Sequence, residues 1–361
     1  AGYYTSNNAK KDYNTVDQPE AWDESSREAH YRNRADGQPF FHIFNFSTTH
    51  ESRLHRGSQG SNHDPSKVDL YPYHPDTPEA RNDYAVYYDR LEEMDREVGA
   101  VLDELEAAGL SDSTVVFYYS DHGGAVGGTK RFLTEDGLHV PLLIRVPERF
   151  AQLAGYERMG TVDRPVSFVD LPPTLLRLAG VEPPAHMVGA SVLHDNDNPY
   201  AFAYGGRMDE RRNLVRSVSD GEFRLTRNYL PHRPYGRRLE FLWRAPLMQS
   251  WVREYEPGNL DATQSAFFEP RAAVELYDIR NDPHQTVNLA GQDRVAGVLA
   301  ELRDEFTGFV KEIRDLSLIP ESHMVSPEVL ANPSTWGAEH AQEIAALVDV
   351  ANLSLVPFAE A

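Results

Sequence analysis

Val115-Val116-Phe117-Tyr118-Tyr119-Ser120-Asp121-His122-Gly123-Gly124 is an apolar run that ends abruptly in a carboxylate, an imidazole and two glycines. The run is too short for a helix and reads as a buried strand of a parallel α/β sheet. In such sheets ligands and metals sit at the carboxyl ends of the strands. Asp121 and His122 follow each other on the turn, where side chains need not alternate, so both can face one cation. Beyond them Lys130 precedes a second strand-like run, His139 to Val146. A metal pair and a cation so placed suit a doubly charged oxyanion. The competing reading is a turn of solvated polar residues.

Working outward, Pro39 to Phe46 (PFFHIFNF) is a second buried strand, and it runs into Ser47-Thr48-Thr49-His50-Glu51-Ser52. The opening Ala1 to Asn14 reads as a short strand and a polar loop carrying Lys10 and Lys11. Residues 15–38 are polar and are expected to form a surface helix and loop; residues 53–76 read as a long irregular loop. Thr77 and Pro78 open a long helix with one apolar face (Tyr84, Tyr87, Leu91, Met94, Val98), and Gly109 stops it. Ser167 to Ala179 is a shorter helix closed by Gly180, with Pro172 and Pro173 in its first turn. From residue 198 onward short strand-like runs alternate with turns such as Ser219-Asp220-Gly221, the pattern of a small antiparallel sheet. An amphipathic helix over 292–314 and a peripheral helical tail from Pro320 complete the chain, which has no internal repeat.

Composition sets the outer bounds. A formal charge of −21 excludes a general nucleic-acid surface, so an anionic ligand must be met by a locally basic pocket. No apolar run approaches the roughly 20 residues of a membrane helix. The chain has 0 cysteines, hence no disulfide, no thiolate metal site and no cysteine nucleophile. It opens at Ala1-Gly2-Tyr3-Tyr4-Thr5 without Met or signal sequence, which leads us to expect a processed chain or a fragment.

Lys10, His50, Asp121 with His122, and Lys130 each fall at or after a strand, and in a doubly wound sheet such ends converge. This inventory suits sulfuryl or phosphoryl transfer: cations on non-bridging oxygens, a metal, and an imidazole to protonate the leaving oxygen. Each of these residues taken singly is more often solvated or structural.

The motifs resemble the sulfatases of the alkaline-phosphatase superfamily. AGYYTSNNAKKDYN is similar to the family segment that precedes a catalytic lysine, here Lys10, although the histidine that usually follows is replaced by Asp12. PFFHIFNFSTTHES resembles the strand ending in the catalytic histidine, His50. SDHGG followed by TKRFLTEDGLHVPLLIRVP resembles the metal and lysine segment, giving Asp121, His122 and Lys130. VSFVDLPPTLLRLAGV and AVELYDIRNDPHQTVNLA are similar to the closing core helix and the C-terminal subdomain turn. The likeness covers about residues 1–317. It implies an α/β fold, an alkaline-phosphatase-like α/β/α sandwich with a small antiparallel C-terminal subdomain. The corresponding division is a core at 1–197, a subdomain at 198–317 and a helical tail at 318–361.

What the resemblance implies about function is hydrolysis of sulfate esters or sulfamates, on a glycan, through a metal-bound formylglycine. The family's Asp-Asp metal pair and Cys- or Ser-x-Pro-Ser-Arg segment have no counterpart here; Asp64-Pro65-Ser66-Lys67 lacks the nucleophile, so the chain is expected to be inactive alone. The implied metal is Ca²⁺, with Mn²⁺, Fe²⁺ or Zn²⁺ suited by the His122 imidazole. Arg207, Arg211 and His232 are candidates to bind a sugar carboxylate or second sulfate, against a reading as salt-bridged surface. The implied partners are a sulfated small molecule or glycan, with no nucleic acid and no membrane span. A homo-oligomer is compatible, and the location implied is periplasmic or secreted. Two alternatives share the scaffold: a phosphodiesterase or phosphonate monoester hydrolase, and a non-catalytic oxyanion- or glycan-binding fragment.

Overall fold

The structure is a computed structural model that describes residues 2–13, 16–55, 60–155, 160–193 and 198–353. Ala1 and Asn14 of the opening stretch, and the expected domain boundary at 197, lie outside the described residues.

Strand β1 (Tyr4–Asn8) lies between β2 (Glu24–Ser25) and β3 (Phe40–Phe44), and both pairings are parallel. Among the described residues, the surface helix expected within 15–38 is reduced to two single 3-10 turns, Pro19–Ala21 and Tyr31–Asn33. Asp23 N–H donates to Thr5 O at 2.9 Å and Ser26 N–H to Asn7 O at 3.1 Å, so the sheet takes the amides a helix would have used.

Helix α1 (Pro78–Ala107) starts where expected: Thr77 Oγ1 accepts the Ala80 N–H at 3.1 Å and Pro78 occupies the first turn. Gly109, at φ +68°, turns the chain out of it. Strand β4 (Val116–Tyr119) carries the Asp-His turn and is followed by α2 (Glu135–Leu138) and β5 (Leu142–Arg145). β4 and β5 pair antiparallel as a separate two-stranded sheet, which corrects the expectation of a parallel sheet at this point. An apolar run records burial and not strand direction; the chain between β4 and β5 doubles back through α2 without a full crossover helix. Helix α3 (Leu171–Leu178) ends at Gly180, φ +71°.

Strands β6 (Ala201–Met208), β7 (Arg211–Ser219) and β8 (Phe223–Asn228) form antiparallel hairpins. Helices α4 (Pro246–Tyr255) and α5 (Ala262–Ser265) intervene before β9 (Val274–Asp278) completes the four-stranded sheet. Helix α6 (Ala296–Glu312) buries Leu302, Phe306 and Val310 against Val218, Leu225 and Leu276 of that sheet. Four short helices, α7 (Glu321–Met324), α8 (Pro327–Ala331), α9 (Pro333–Glu339) and α10 (Ala341–Leu353), form the tail. It is not merely peripheral, because Val348 of α10 is fully buried in the α6 core. Among the described residues no helix is long and apolar enough to cross a membrane.

The largest core joins α1 to α4. Tyr84 and Ala85 of α1 pack with Leu247, Met248 and Trp251 of α4 and with Val126 and Phe132 of the loop after the Asp-His turn. Asp83 Oδ2 accepts the Leu247 N–H at 2.8 Å, so α1 caps the first turn of α4. Burial pushes that carboxyl up to about 7.

Candidate functional site

Three segments far apart in sequence meet at the Asp-His turn. Lys10 stands two residues beyond β1, its loop held by Asn7 Nδ2–H donating to Lys10 O at 2.9 Å. Its Nζ reaches Asp121 Oδ2 at 3.1 Å. His122 Nδ1 lies 2.7 Å from Gly123 O, and a carbonyl can only accept, so Nδ1 carries a proton. In the neutral ring that leaves the lone pair on Nε2, which is 3.6 Å from Asp121 Oδ1. Metal-binding imidazoles adopt this arrangement, with one nitrogen anchored by its N–H and the other free. Partial burial pushes the Asp121 carboxyl up, but His122 and Lys10 outweigh it and hold the group below its ordinary value.

Asp121 and His122 fit two positions of a divalent cation's shell. Among the described residues no group of three or more carboxylates and imidazoles stands together, so those residues do not make a complete cage. Gly123 is needed for the turn to pack. A Cβ there would lie 1.8 Å from Asp136 O, because the start of α2 passes directly against it.

His50 caps the short turn Glu51–Arg53. Ser52 N–H donates to His50 Nδ1 at 3.3 Å and the Ser52 hydroxyl lies 2.9 Å from the same nitrogen. The neutral ring therefore carries its proton on Nε2. Burial lowers its pKa first, and Lys130 lowers it further; Glu51 opposes both, while Lys10 and His122 add smaller repulsions. These couplings bring His50 into the same electrostatic neighbourhood as the lysines and His122.

Glu51 joins the two halves of the site. Its buried carboxylate meets Lys130 Nζ at 3.2 Å and Arg131 at 2.7 and 3.0 Å. Arg131 also reaches Asp209 at 2.7 Å, which ties the β6–β7 hairpin tip to the site. Arg131 has φ +84°, a backbone conformation that costs a non-glycine residue about 1–3 kcal/mol and is sustained where surrounding contacts over-determine it. The sequence reading passed over Glu51 and Arg131. The available signal was their position: each directly follows a residue that it did single out, His50 and Lys130.

Of the other candidates, Arg207 and Arg211 line one groove beside the hairpin. Arg207 is ion-paired with Glu321, and Arg211 Nε–H donates to Arg238 O at 3.0 Å. His232 is exposed and accepts from Arg233 Nε–H at 3.3 Å.

The Sulfatase family model matches residues 2–181. The chain belongs to the sulfatase family. It is 34% identical over 366 aligned residues to an ulvan-active sulfatase of Formosa agariphila, covering 90% of this chain and 60% of that protein. It is 32% identical over 271 residues to the human N-sulphoglucosamine sulphohydrolase, covering 70% of this chain and 52% of that one. The chain thus spans just over half the length of these sulfatases. The solved structure of yidJ from Bacteroides fragilis superposes with a TM-score of 0.53 at 18% identity, over 78% of this chain and 56% of that one. That likeness concerns the fold, which is the alkaline-phosphatase-like fold of sulfatases with an antiparallel sheet in its C-terminal region.

Proposed function

We propose that this chain is the larger part of a sulfatase that hydrolyses sulfate esters or sulfamates on a glycan. The observation that supports it best is the meeting of Lys10 and Asp121, 111 residues apart in sequence, at 3.1 Å. The two relatives compared above, an ulvan-active sulfatase and an N-sulphoglucosamine sulphohydrolase, favour a sulfated sugar as substrate.

In this reading Asp121 and His122 hold part of the shell of a divalent cation, Ca²⁺ first and Mn²⁺ or Zn²⁺ as imidazole-tolerant alternatives. When bound, the cation would polarise an oxygen and lower the charge of the sulfate. Lys10 and Lys130 neutralise non-bridging oxygens, and Glu51 keeps Lys130 oriented. His50, as the protonated ring, gives its Nε2 proton to the departing oxygen and is left neutral. The nucleophile, a formylglycine, comes from residues outside this sequence. The same reading places the protein in the periplasm or outside the cell.

Parallel assays of the natively produced protein on an aryl sulfate and the matching aryl phosphate test the reading. Preference for the sulfate is the expected result. Equal or faster phosphate turnover would replace it with a phosphodiesterase or phosphonate hydrolase on this scaffold.

A further inference from the structure

A groove of about 580 Å³ beside the β6–β7 hairpin is lined by Arg207, Arg211, Arg212, Arg233, Arg237 and Arg238. Glu210 is its one acidic lining residue. The chain as a whole carries −21, so six guanidiniums on one concave surface invert the prevailing field. Arg207 is paired with Glu321, and Arg238 stands 3.6 Å from Glu240. Among the described residues, no ion pair joins Arg211, Arg212, Arg233 or Arg237 to a carboxylate.

Several of these arginines brace the backbone. Arg237 Nη1–H donates to Arg212 O at 2.6 Å and Arg211 Nε–H to Arg238 O at 3.0 Å. Bracing uses only part of five donors on each guanidinium. It also leaves the like charges uncompensated: burial and then Arg271, Arg233 and Arg211 push Arg237 down to about 10. Glu210 is itself engaged, accepting the Glu240 N–H at 2.9 Å.

Two contacts tie the walls of the groove to the site described above. Asp209, at the hairpin tip, is bound to Arg131 at 2.7 Å. The strap that carries Arg237 and Arg238 runs on to Phe241, whose ring centroid is 6.2 Å from that of His50 and 4.6 Å from that of His55.

We propose that this groove holds a second anionic group, a sulfate ester or a carboxylate, carried by a neighbouring sugar of the same glycan chain that presents its scissile sulfate at Lys10, Asp121 and Lys130. The inference rests on the desulfation reading for the position of the scissile group, and it makes the substrate a polyanionic oligosaccharide. Planar guanidiniums suit either anion, since each takes a bidentate pair of hydrogen bonds. A nucleic acid is disfavoured by the net charge of −21.

The test is isothermal titration calorimetry on the natively produced protein with three trisaccharides: one singly sulfated, one doubly sulfated, and one with a sulfate and a carboxylate on adjacent sugars. Arg211→Gln with Arg238→Gln removes two exposed cations. The doubly charged ligands are expected to lose about 10²-fold in affinity, roughly tenfold per guanidinium, with the singly sulfated one little changed. Glu210→Gln is expected to tighten the doubly charged ligands by a few-fold, and which of the two tightens more identifies the preferred second anion. Equal losses for all three ligands, no loss, or no binding of a doubly charged ligand to the unaltered protein overturns the proposal. Selective loss in a protein that turns over no sulfate ester would keep the groove and remove the desulfation reading.

Discussion

Glu51 Oε2 lies 3.2 Å from Lys130 Nζ, and the same buried carboxylate holds Arg131 at 2.7 Å. One acid thus pairs with two cations next to His50, and through Arg131 and Asp209 it couples the site to the C-terminal sheet. Lys130 is held in place by a buried partner, not by a surface one. Lys130→Ala is expected to lower kcat/KM for a sulfate ester by at least about 10²-fold, the scale of losing one charge-stabilising group. Steady-state kinetics near wild type would remove Lys130 from the reacting centre.

His50 predicts a pH dependence. Burial and Lys130 lower its pKa beneath the ordinary 6.5, so the protonated ring needed by a leaving group exists in the free protein only at acidic pH. kcat/KM should therefore fall as pH rises through a value below 6.5. Glu51 raises the His50 pKa, so Glu51→Gln should move that limb to still lower pH, and His50→Gln should abolish it. A limb unchanged in both variants would assign the proton to another group.

The first glycine of the SDHGG turn is expected to tolerate no side chain. Gly123→Ala places a methyl 1.8 Å from the Asp136 carbonyl oxygen, and the nearest atoms are all backbone of Asp136 and Gly137, with no flexible side chain to yield. The Gly123 N–H to Gly137 O bond of 2.9 Å would break with it. We expect a loss of about 2–4 kcal/mol in urea unfolding, the scale of overpacking plus an orphaned amide. Gly124→Ala meets only ordinary contacts at 3.7 Å and beyond and serves as the control.

His74 sets an acid limit on stability. It is buried between Tyr84 OH at 2.7 Å and Gly127 O at 2.6 Å, one accepted and one donated bond, which the neutral ring satisfies. Burial pushes its pKa down to about 3, so the folded state binds fewer protons than the unfolded chain below 6.5. Its contribution is intact above 6.5 and is lost as pH falls from there toward 3, at up to about 1.4 kcal/mol per pH unit. His74→Phe should be less stable at about pH 8, through its unsatisfied partners, yet lose stability less steeply toward about pH 5. Parallel slopes in urea unfolding would show that His74 is not the titrating group.

Much of the candidate site could be picked out because its residues sit where regular structure stops. Lys10, His50, Asp121 and Lys130 each follow an apolar run or open the next one, and Thr77, Pro78, Gly109 and Gly180 mark their helix ends by local chemistry alone. Helix α4 was missed although Leu247, Met248, Trp251 and Val252 stand at helical spacing behind Pro246, and Leu247, Met248 and Trp251 are fully buried. The helix expected within 15–38 failed in the opposite sense: polar residues with no stated period were given to β1 by the sheet's own amide pairing.

The amino-acid order by itself determined which residues carry charge and protons, where α1 begins and where α1 and α3 end, and the acidic balance against which any basic site must stand. These follow from local sterics, capping and composition. Only the tertiary structure decided that β4 and β5 run antiparallel, that Glu51 bridges Lys130 and Arg131, and that arginines from β6, β7 and the 230–240 segment share one groove. Those relationships join residues tens to hundreds of positions apart, and a contact of that kind is paid for by packing of the whole chain, not by any property of the segments it joins.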